Sequence, residues 1–218
     1  MRVAIGVLAA AVLGFVAGLI LTPSSSSPAV LEVGSPSPGL TQKWAGEGSG
    51  FPRTREGAVL AAGTYQQAFA DKAVLDPDEL RRRIEALATP SFEQAMLEAN
   101  EPGAARLARS AFGKGIRGGV ASAFFAEPVG YRLIGFSRSR AVVQTWGFTL
   151  IGNLSAVEPT AFFGLSKTEL VWLEGKWKIA DTRAAFGPTP KLGSPRPGGE
   201  GLGLVELTEE LTPYGLAP

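Results

Sequence analysis

The stretch Val171-Trp172-Leu173-Glu174-Gly175-Lys176-Trp177-Lys178-Ile179 decides how the chain is read. Residues on either side of Glu174-Gly175 alternate between large apolar and charged types, and a short turn containing Gly is what an antiparallel hairpin needs between its strands. Leu170, Trp172, Trp177 and Ile179 compete for burial, whereas Glu169, Lys176 and Lys178 are assigned to water. One strand is therefore expected from about Thr160 to Leu173 and its partner from Lys176 to Arg183.

The two-residue period extends upstream. Val129, Tyr131 and Leu133 alternate with Gly130, Arg132 and Ile134, and Val142, Gln144, Trp146, Phe148 and Leu150 alternate with Val143, Thr145, Gly147, Thr149 and Ile151. Ser137 to Arg140 joins these two runs as a hairpin. Before Pro128 the period is helical. Glu56 to Lys72 sets Val59, Ala62, Tyr65 or Gln66, and Phe69 on one face, and Asp76-Pro77-Asp78-Glu79 opens a helix running to about Ala88 with an N-cap, a proline in the first turn and a following acid. Thr89-Pro90 repeats the start signal for Ser91 to Asn100, and a shorter helix is expected over Ala104 to Phe112. Helices followed by antiparallel strands make an α+β fold, about three helices packed on one face of a curved antiparallel sheet of about four strands.

The flanks differ in kind. Val3 to Leu21 are 19 uncharged, almost wholly apolar positions, about 28 Å of helix at 1.5 Å per residue and close to a bilayer core. A cleaved signal peptide is the competing reading, but its apolar region is shorter and ends in a small-x-small site, whereas Leu19-Ile20-Leu21 runs straight into Thr22-Pro23. A transmembrane anchor over 1–22 is the expectation. Arg2 and the amino terminus on one side, with no charge on the other until Glu32, set the N-terminus in the cytoplasm and the body outside it, a single-pass protein of the cell membrane. Gly6, Ala10, Gly14 and Gly18 align small side chains on one helix face, the arrangement that lets two membrane helices approach, and so a homo-oligomer; the plainer reading is an Ala/Gly-rich anchor with no packing partner. Residues 23–50 are a Pro/Ser/Gly-rich linker too polar and too broken to bury a core. The folded domain is placed at 51–190, and 191–218 is a flexible acidic tail in which Leu204 to Leu211 is long enough for a helical turn or two. Residues 128–192 carry eight positive against four negative charges and 193–218 one against four, so the tail could fold back on the strand-rich half; two separately solvated surfaces are the simpler alternative.

Composition removes much chemistry. The 218 residues contain no Cys and no His, with Lys+Arg 21 against Asp+Glu 20. Thiolate nucleophiles, imidazole bases and the usual zinc ligands are absent, and a net charge of +1 provides no field to capture nucleic acid, so no nucleic-acid partner is expected. No cofactor, metal or catalytic residue is assigned. Gly113-Lys114-Gly115-Ile116-Arg117-Gly118 fits G-x-G-x-x-G, but it follows a helix and precedes a strand, the reverse of a dinucleotide-binding turn. Arg106, Arg109, Lys114 and Arg117, with no acid between Glu101 and Glu127, form a candidate anion or partner patch, a solvated helix face being the plainer account. Tyr65, Gln144, Glu169 and Asp181 are the candidates for a cavity between helices and sheet.

The hairpin Trp172 to Ile179, with the order helix, helix, helix, long hairpin, second hairpin, resembles the nuclear-transport-factor-2-like (cystatin-like cone) superfamily over about 51 to 185. With one N-terminal anchor and a Pro/Ser tether the chain further resembles bitopic assembly proteins of actinobacterial conjugation and type IV secretion systems, and membrane proteins associated with mycobacterial lipid importers. Gly50-Phe51-Pro52-Arg53-Thr54-Arg55-Glu56-Gly57-Ala58-Val59-Leu60-Ala61-Ala62 and Gly187-Pro188-Thr189-Pro190 carry the likeness to the conjugation-associated proteins. The resemblance implies an extracytoplasmic domain that scaffolds other envelope or secretion-machine proteins rather than an enzyme. Its alternatives are a small-ligand, lipid-like binding module and, behind that, a cavity enzyme.

Overall fold

A computed structural model describes residues 50–154, 157–187, 189 and 211–213. Helix α1 (Arg55–Ala68) begins where Thr54 accepts a hydrogen bond from the Gly57 amide at 3.1 Å, and a 3-10 turn (Lys72–Leu75) leads to α2 (Pro77–Leu87). Asp76 caps α2, its carboxylate accepting from the amides of Asp78 at 2.9 Å and Glu79 at 3.1 Å, with Pro77 in the first turn. The three arginines that follow diverge, as consecutive helical positions must. Arg81 bonds Glu101 at 2.6 Å, Arg82 bonds Glu79, and Arg83 turns inward, 5% exposed, to Glu79 and the Ala68 carbonyl. Burial pushes the Glu79 carboxyl up, but hydrogen bonds and charge from Arg83 and Arg82 outweigh it and hold the group below its usual range.

Helix α3 (Pro90–Arg109) departs from expectation by running through Pro102, uniting what the sequence divides at Asn100. Proline lacks the amide and crowds the preceding turn, yet the helix carries buried Met96, Ala99 and Asn100 before it and Gly103, Ala104 and Leu107 after it, while Pro102 itself faces solvent. The chain breaks instead at Ser110, in extended conformation with its hydroxyl donating to the Leu107 carbonyl at 2.6 Å, before α4 (Ala111–Arg117).

Four long strands follow: β1 (Ser122–Phe136), β2 (Arg140–Asn153), β3 (Val157–Leu173) and β4 (Lys176–Phe186). A two-residue β5 (Thr212–Pro213) joins them in the antiparallel order β4-β3-β2-β1-β5. Strand β1 starts six residues before Pro128, because a bulge between Pro128 and Gly130 absorbs the proline's missing donor. Glu174 and Gly175 both adopt positive φ, 52° and 78°, so that the short Gly-containing turn expected from the sequence is of the primed type that suits twisted strands.

Ala141, Val143, Thr145, Gly147, Thr149 and Ile151 of β2 point toward the helices and are buried. Of these, Ala141, Val143 and Ile151 join Leu170, Trp177 and Ile179 against Ala58, Ala61, Ala62, Leu80, Ile84, Leu107 and Phe112 in one core. The fold is α+β; among the described residues four α-helices lie on one face of an open antiparallel sheet. The segment before α1 is pinned to the second hairpin: the Trp177 indole donates to the Pro52 carbonyl at 3.0 Å, Phe51 packs edge-on to Tyr65, and the Arg53 guanidinium lies 5.5 Å over the Trp172 ring. At the far border of the sheet the α2–α3 junction makes a bridge to β4, the Thr89 amide donating to the Ile179 carbonyl at 2.8 Å.

Among the described residues no helix is long and apolar enough to cross a membrane. The anchor expected over 1–22 with Gly6, Ala10, Gly14 and Gly18, nearly all of the expected linker, and all of the expected tail but 211–213 lie outside the described residues.

Candidate functional site

A partly open cleft of about 140 Å³ lies between α1, α3 and the sheet. Tyr65, Gln66 and Phe69 enter it from α1, Met96 and Asn100 from α3, and Ala126, Thr149, Phe162, Ser166, Thr168 and Thr182 from the strands. Gly147 and Gly164 form part of the floor because neither has room for a side chain. A Cβ on Gly147 would sit 2.2 Å from the Glu127 carbonyl oxygen, and one on Gly164 2.9 Å from that of Ala185.

The polar atoms of the cleft are engaged with their neighbours. The Tyr65 hydroxyl donates to the Trp177 carbonyl at 2.6 Å, and burial pushes its pKa up to about 12. The Thr145 hydroxyl donates to Gln66 Oε1 at 2.8 Å, which leaves Ser166 Oγ, 2.7 Å away, as donor to Thr145. Asn100 donates from Nδ2 to the Met96 carbonyl at 2.8 Å, and Thr168 and Thr182 pair through their hydroxyls at 3.3 Å. Apart from Tyr65 no titratable side chain lines the space. Its volume suits a six-membered ring or a short branched chain, close to the roughly 150 Å³ at which an apolar cavity takes benzene and below the roughly 300–1,000 Å³ of drug-sized pockets.

Of the four residues assigned to a cavity, Tyr65 lines this one; Gln144, Glu169 and Asp181 do not. All three belong to the strand positions alternating with the core-facing ones. Glu169 bonds Arg140 at 2.8 Å, Asp181 bonds Arg183 at 3.2 Å, and Glu169 and Asp181 lie directly opposite each other on β3 and β4. They form a surface network of charge, where a carboxylate needs no apolar pocket.

Arg106, Arg109, Lys114 and Arg117 are all exposed on α3 and α4, and the Arg117 guanidinium donates to the Ala108 carbonyl at 2.9 Å. The glycines at 113, 115 and 118 fall in and just after α4 rather than on a turn between strand and helix. Gly113 is needed for packing, since a Cβ there would lie 2.2 Å from the Ala108 carbonyl oxygen. Among the described residues no three metal-binding side chains converge. Asn153 of the sequon-like Asn153-Leu154-Ser155 is buried and accepts from the Val157 amide at 3.0 Å.

The polar cleft residues that the sequence did not single out are neutral: Gln66, Asn100, Thr149, Ser166, Thr168 and Thr182. Their signal was the parity of β2, where Gly147 belongs to the set facing the helices; the pull of Trp146 and Phe148 on the opposite set obscured it. No protein-family model matches the chain, and no curated protein matches it.

Proposed function

We propose that this chain is a membrane-anchored assembly subunit of an envelope-spanning conjugation or secretion machine, whose cone-like α+β domain works outside the cytoplasm by contact with other proteins. The observation that carries the reading is the chemistry of the cleft. The hydroxyls of Ser166, Thr168 and Thr182 bond neighbouring side chains, Asn100 bonds a main-chain carbonyl, and the one titratable group, Tyr65, is held protonated and committed to a main-chain carbonyl. General acid–base work needs a group poised near the working pH and within reach of substrate, and here the lining supplies packing instead. The clamp of residues 51–53 on Trp172 and Trp177 supports the same reading, because it seats the chain arriving from the anchor firmly on the sheet. The test is recovery of the full-length protein from its native membrane in mild detergent, with identification of its companions and its own N-terminus. An intact 3–21 segment together with transport ATPases or channel subunits supports the proposal. An N-terminus beyond Thr22 with no companions overturns it.

A second reading rests on the cleft's size and apolar walls: a site for a small uncharged molecule such as a short lipid-like chain. Broadening of the ¹⁹F signal of fluorobenzene by the domain, abolished in Ala184→Phe, which fills the rim, is the result expected of such a site. Equal spectra for both proteins would exclude it.

A further inference from the structure

The exposed cations of α3 and α4 differ from those at the other end of the fold. Arg106 and Arg109 stand one turn apart at the end of α3, Lys114 and Arg117 at the same spacing on α4, and all four are exposed. The Arg117 guanidinium, bonded to the Ala108 carbonyl at 2.9 Å, ties the two pairs into one surface. Among the described residues Arg106, Arg109 and Lys114 have no acidic partner. Near the two hairpin turns, by contrast, the cations are engaged by the domain itself: Arg140 bonds Glu169, Lys178 donates to the Glu85 carbonyl at 3.3 Å, and Arg53 and Arg55 lie over the rings of Trp172 and Phe136.

The basic end also carries the most exposed large apolar side chain among the described residues. Leu154, just past the end of β2, is 85% exposed, and its amide donates to the Ala121 carbonyl at 3.2 Å, three residues past the Gly118 that ends α4. Its neighbour Asn153 packs on α4, since a Cβ on Gly115 would come 2.7 Å from Asn153 Nδ2. Leu154 therefore stands beside the helix that bears Lys114 and Arg117. Residues 118–126, which run from α4 into β1, carry no charge. Glu158, exposed on β3, sets one carboxylate against the four cations. The hairpin turns lie at the far end of the strands, where Arg53 donates to the Arg138 carbonyl at 2.5 Å. The 14 residues of β2 separate the two ends, about 45 Å at roughly 3.3 Å per residue.

We propose that this end of the domain docks on an anionic lipid surface, with Leu154 entering the headgroup region while Arg106, Arg109, Lys114 and Arg117 meet the lipid phosphates. The apolar part suits a bilayer better than a protein partner. A stable protein interface takes about 800 Å² from each side around a buried apolar core, and at 85% exposure Leu154 projects from its turn rather than lining a groove. A membrane boundary accepts such a side chain without matching its shape, and its negative charge draws the cations beside it. Each cation near an anionic leaflet raises partitioning about fivefold, so four of them compensate for the weak hold of one Leu. The proposal is independent of the proposed function: Pro52, bonded to Trp177, brings the chain in at the hairpin end, so contact at the basic end is no by-product of that attachment.

A sequence without cysteine makes the test clean. The full-length chain with Leu154→Cys, labelled with an environment-sensitive fluorophore, is reconstituted in vesicles of phosphatidylcholine with or without phosphatidylglycerol; Ser139→Cys, in the first hairpin turn, is the control. Insertion of the apolar 3–21 stretch does not call for lipid charge, so dependence on phosphatidylglycerol reads the basic end alone. The label at 154 should brighten several-fold and shift to the blue with phosphatidylglycerol only, and the change should be reversed by salt. It should be lost when Arg106→Gln, Arg109→Gln and Lys114→Gln are combined, three exposed positions whose replacement leaves the Arg117 bond to Ala108 and the thermal midpoint in place. An equal response in phosphatidylcholine, an equal response at Ser139, or a triple variant that folds and still responds would each overturn the proposal. So would a larger response to polyglutamate over phosphatidylcholine vesicles, which would assign the surface to an acidic protein instead. If the triple variant fails to fold, the lipid dependence and the Ser139 control still decide.

Discussion

Tyr65 ties α1 to the second hairpin through one buried hydroxyl, and its titration makes that tie measurable. Its folded pKa of about 12 lies above the ordinary value of 10. The unfolded chain therefore loses the proton first, so the stabilisation is complete below pH 10 and is lost as pH rises from 10 through 12. Urea denaturation across that window should show a fall of about 2–3 kcal/mol, absent from Tyr65→Phe, which should itself be less stable at pH 7 by about 1 kcal/mol. Glu127 has the opposite consequence at neutral pH. Burial raises its carboxyl despite a hydrogen bond from Gln67, so its charged form costs stability once pH exceeds the ordinary carboxylate range. Glu127→Gln should raise the denaturation midpoint at pH 7, and the gain should vanish below pH 4. Gly147 tests packing rather than charge. Gly147→Ala would drive a methyl into the Glu127 carbonyl, 2.2 Å away, and should cost about 3 kcal/mol with the β1–β2 register disturbed, seen as lost amide protection on both strands.

Helix α3 shows what element boundaries owe to their surroundings. Pro102 is a stop signal read from sequence alone, and local physics supports that reading at about 3 kcal/mol against a helix interior. What overrides it is burial on both sides of the proline, a long-range property that no window of sequence contains. Pro102→Ala restores an amide opposite the Glu98 carbonyl without touching the core, and should raise stability by about 1–3 kcal/mol in thermal or urea unfolding. A fall would mean that the packing of Leu107 requires the distortion proline imposes. Strand β1 carries the same lesson from the other side: Pro128 hid its first six residues because a bulge is a tertiary accommodation. The turn of the second hairpin was legible to the residue, because Glu174-Gly175 and the alternation around it state their geometry locally, whereas β3 and β4 each extend three residues past the outer ends read from the sequence. The cap at Asp76 was legible as well, whereas the one at Thr54 was not read. The cleft was legible only at Tyr65, since neutral hydroxyls and amides become a site through the strand parity that brings them together, whereas Glu169 and Asp181 drew notice by charge and turned out to answer Arg140 and Arg183 on the surface.

At the scale of the whole molecule, the α+β class followed from a change of period at one point in the chain, and the tie between distant elements did not. The bridge of Ile179 to Ala88, with the hydrogen bond from the Thr89 amide, joins the α2–α3 junction to a strand about ninety residues later in the chain. Together with β5 it has a bearing on how the protein behaves in a crowd. An open antiparallel sheet ends in two rows of backbone donors and acceptors that can recruit a strand from a neighbouring molecule. Here one end of the sheet is blocked by the junction at Thr89 and the other by Thr212–Pro213, while Lys176, Lys178 and Arg183 place charge along β4. Thr89→Pro offers a probe: its φ of −73° already suits proline, so the substitution deletes the backbone donor, together with the hydroxyl that pairs with Ser91 at 3.2 Å, for which Thr89→Val serves as the control. Static light scattering of the proline variant should show concentration-dependent association at protein levels where the parent stays monodisperse. Domains held at high local density would exchange strands readily through bare borders, and the two short pieces of backbone paired there, one at each side, interrupt the rows that a fibril would need to copy.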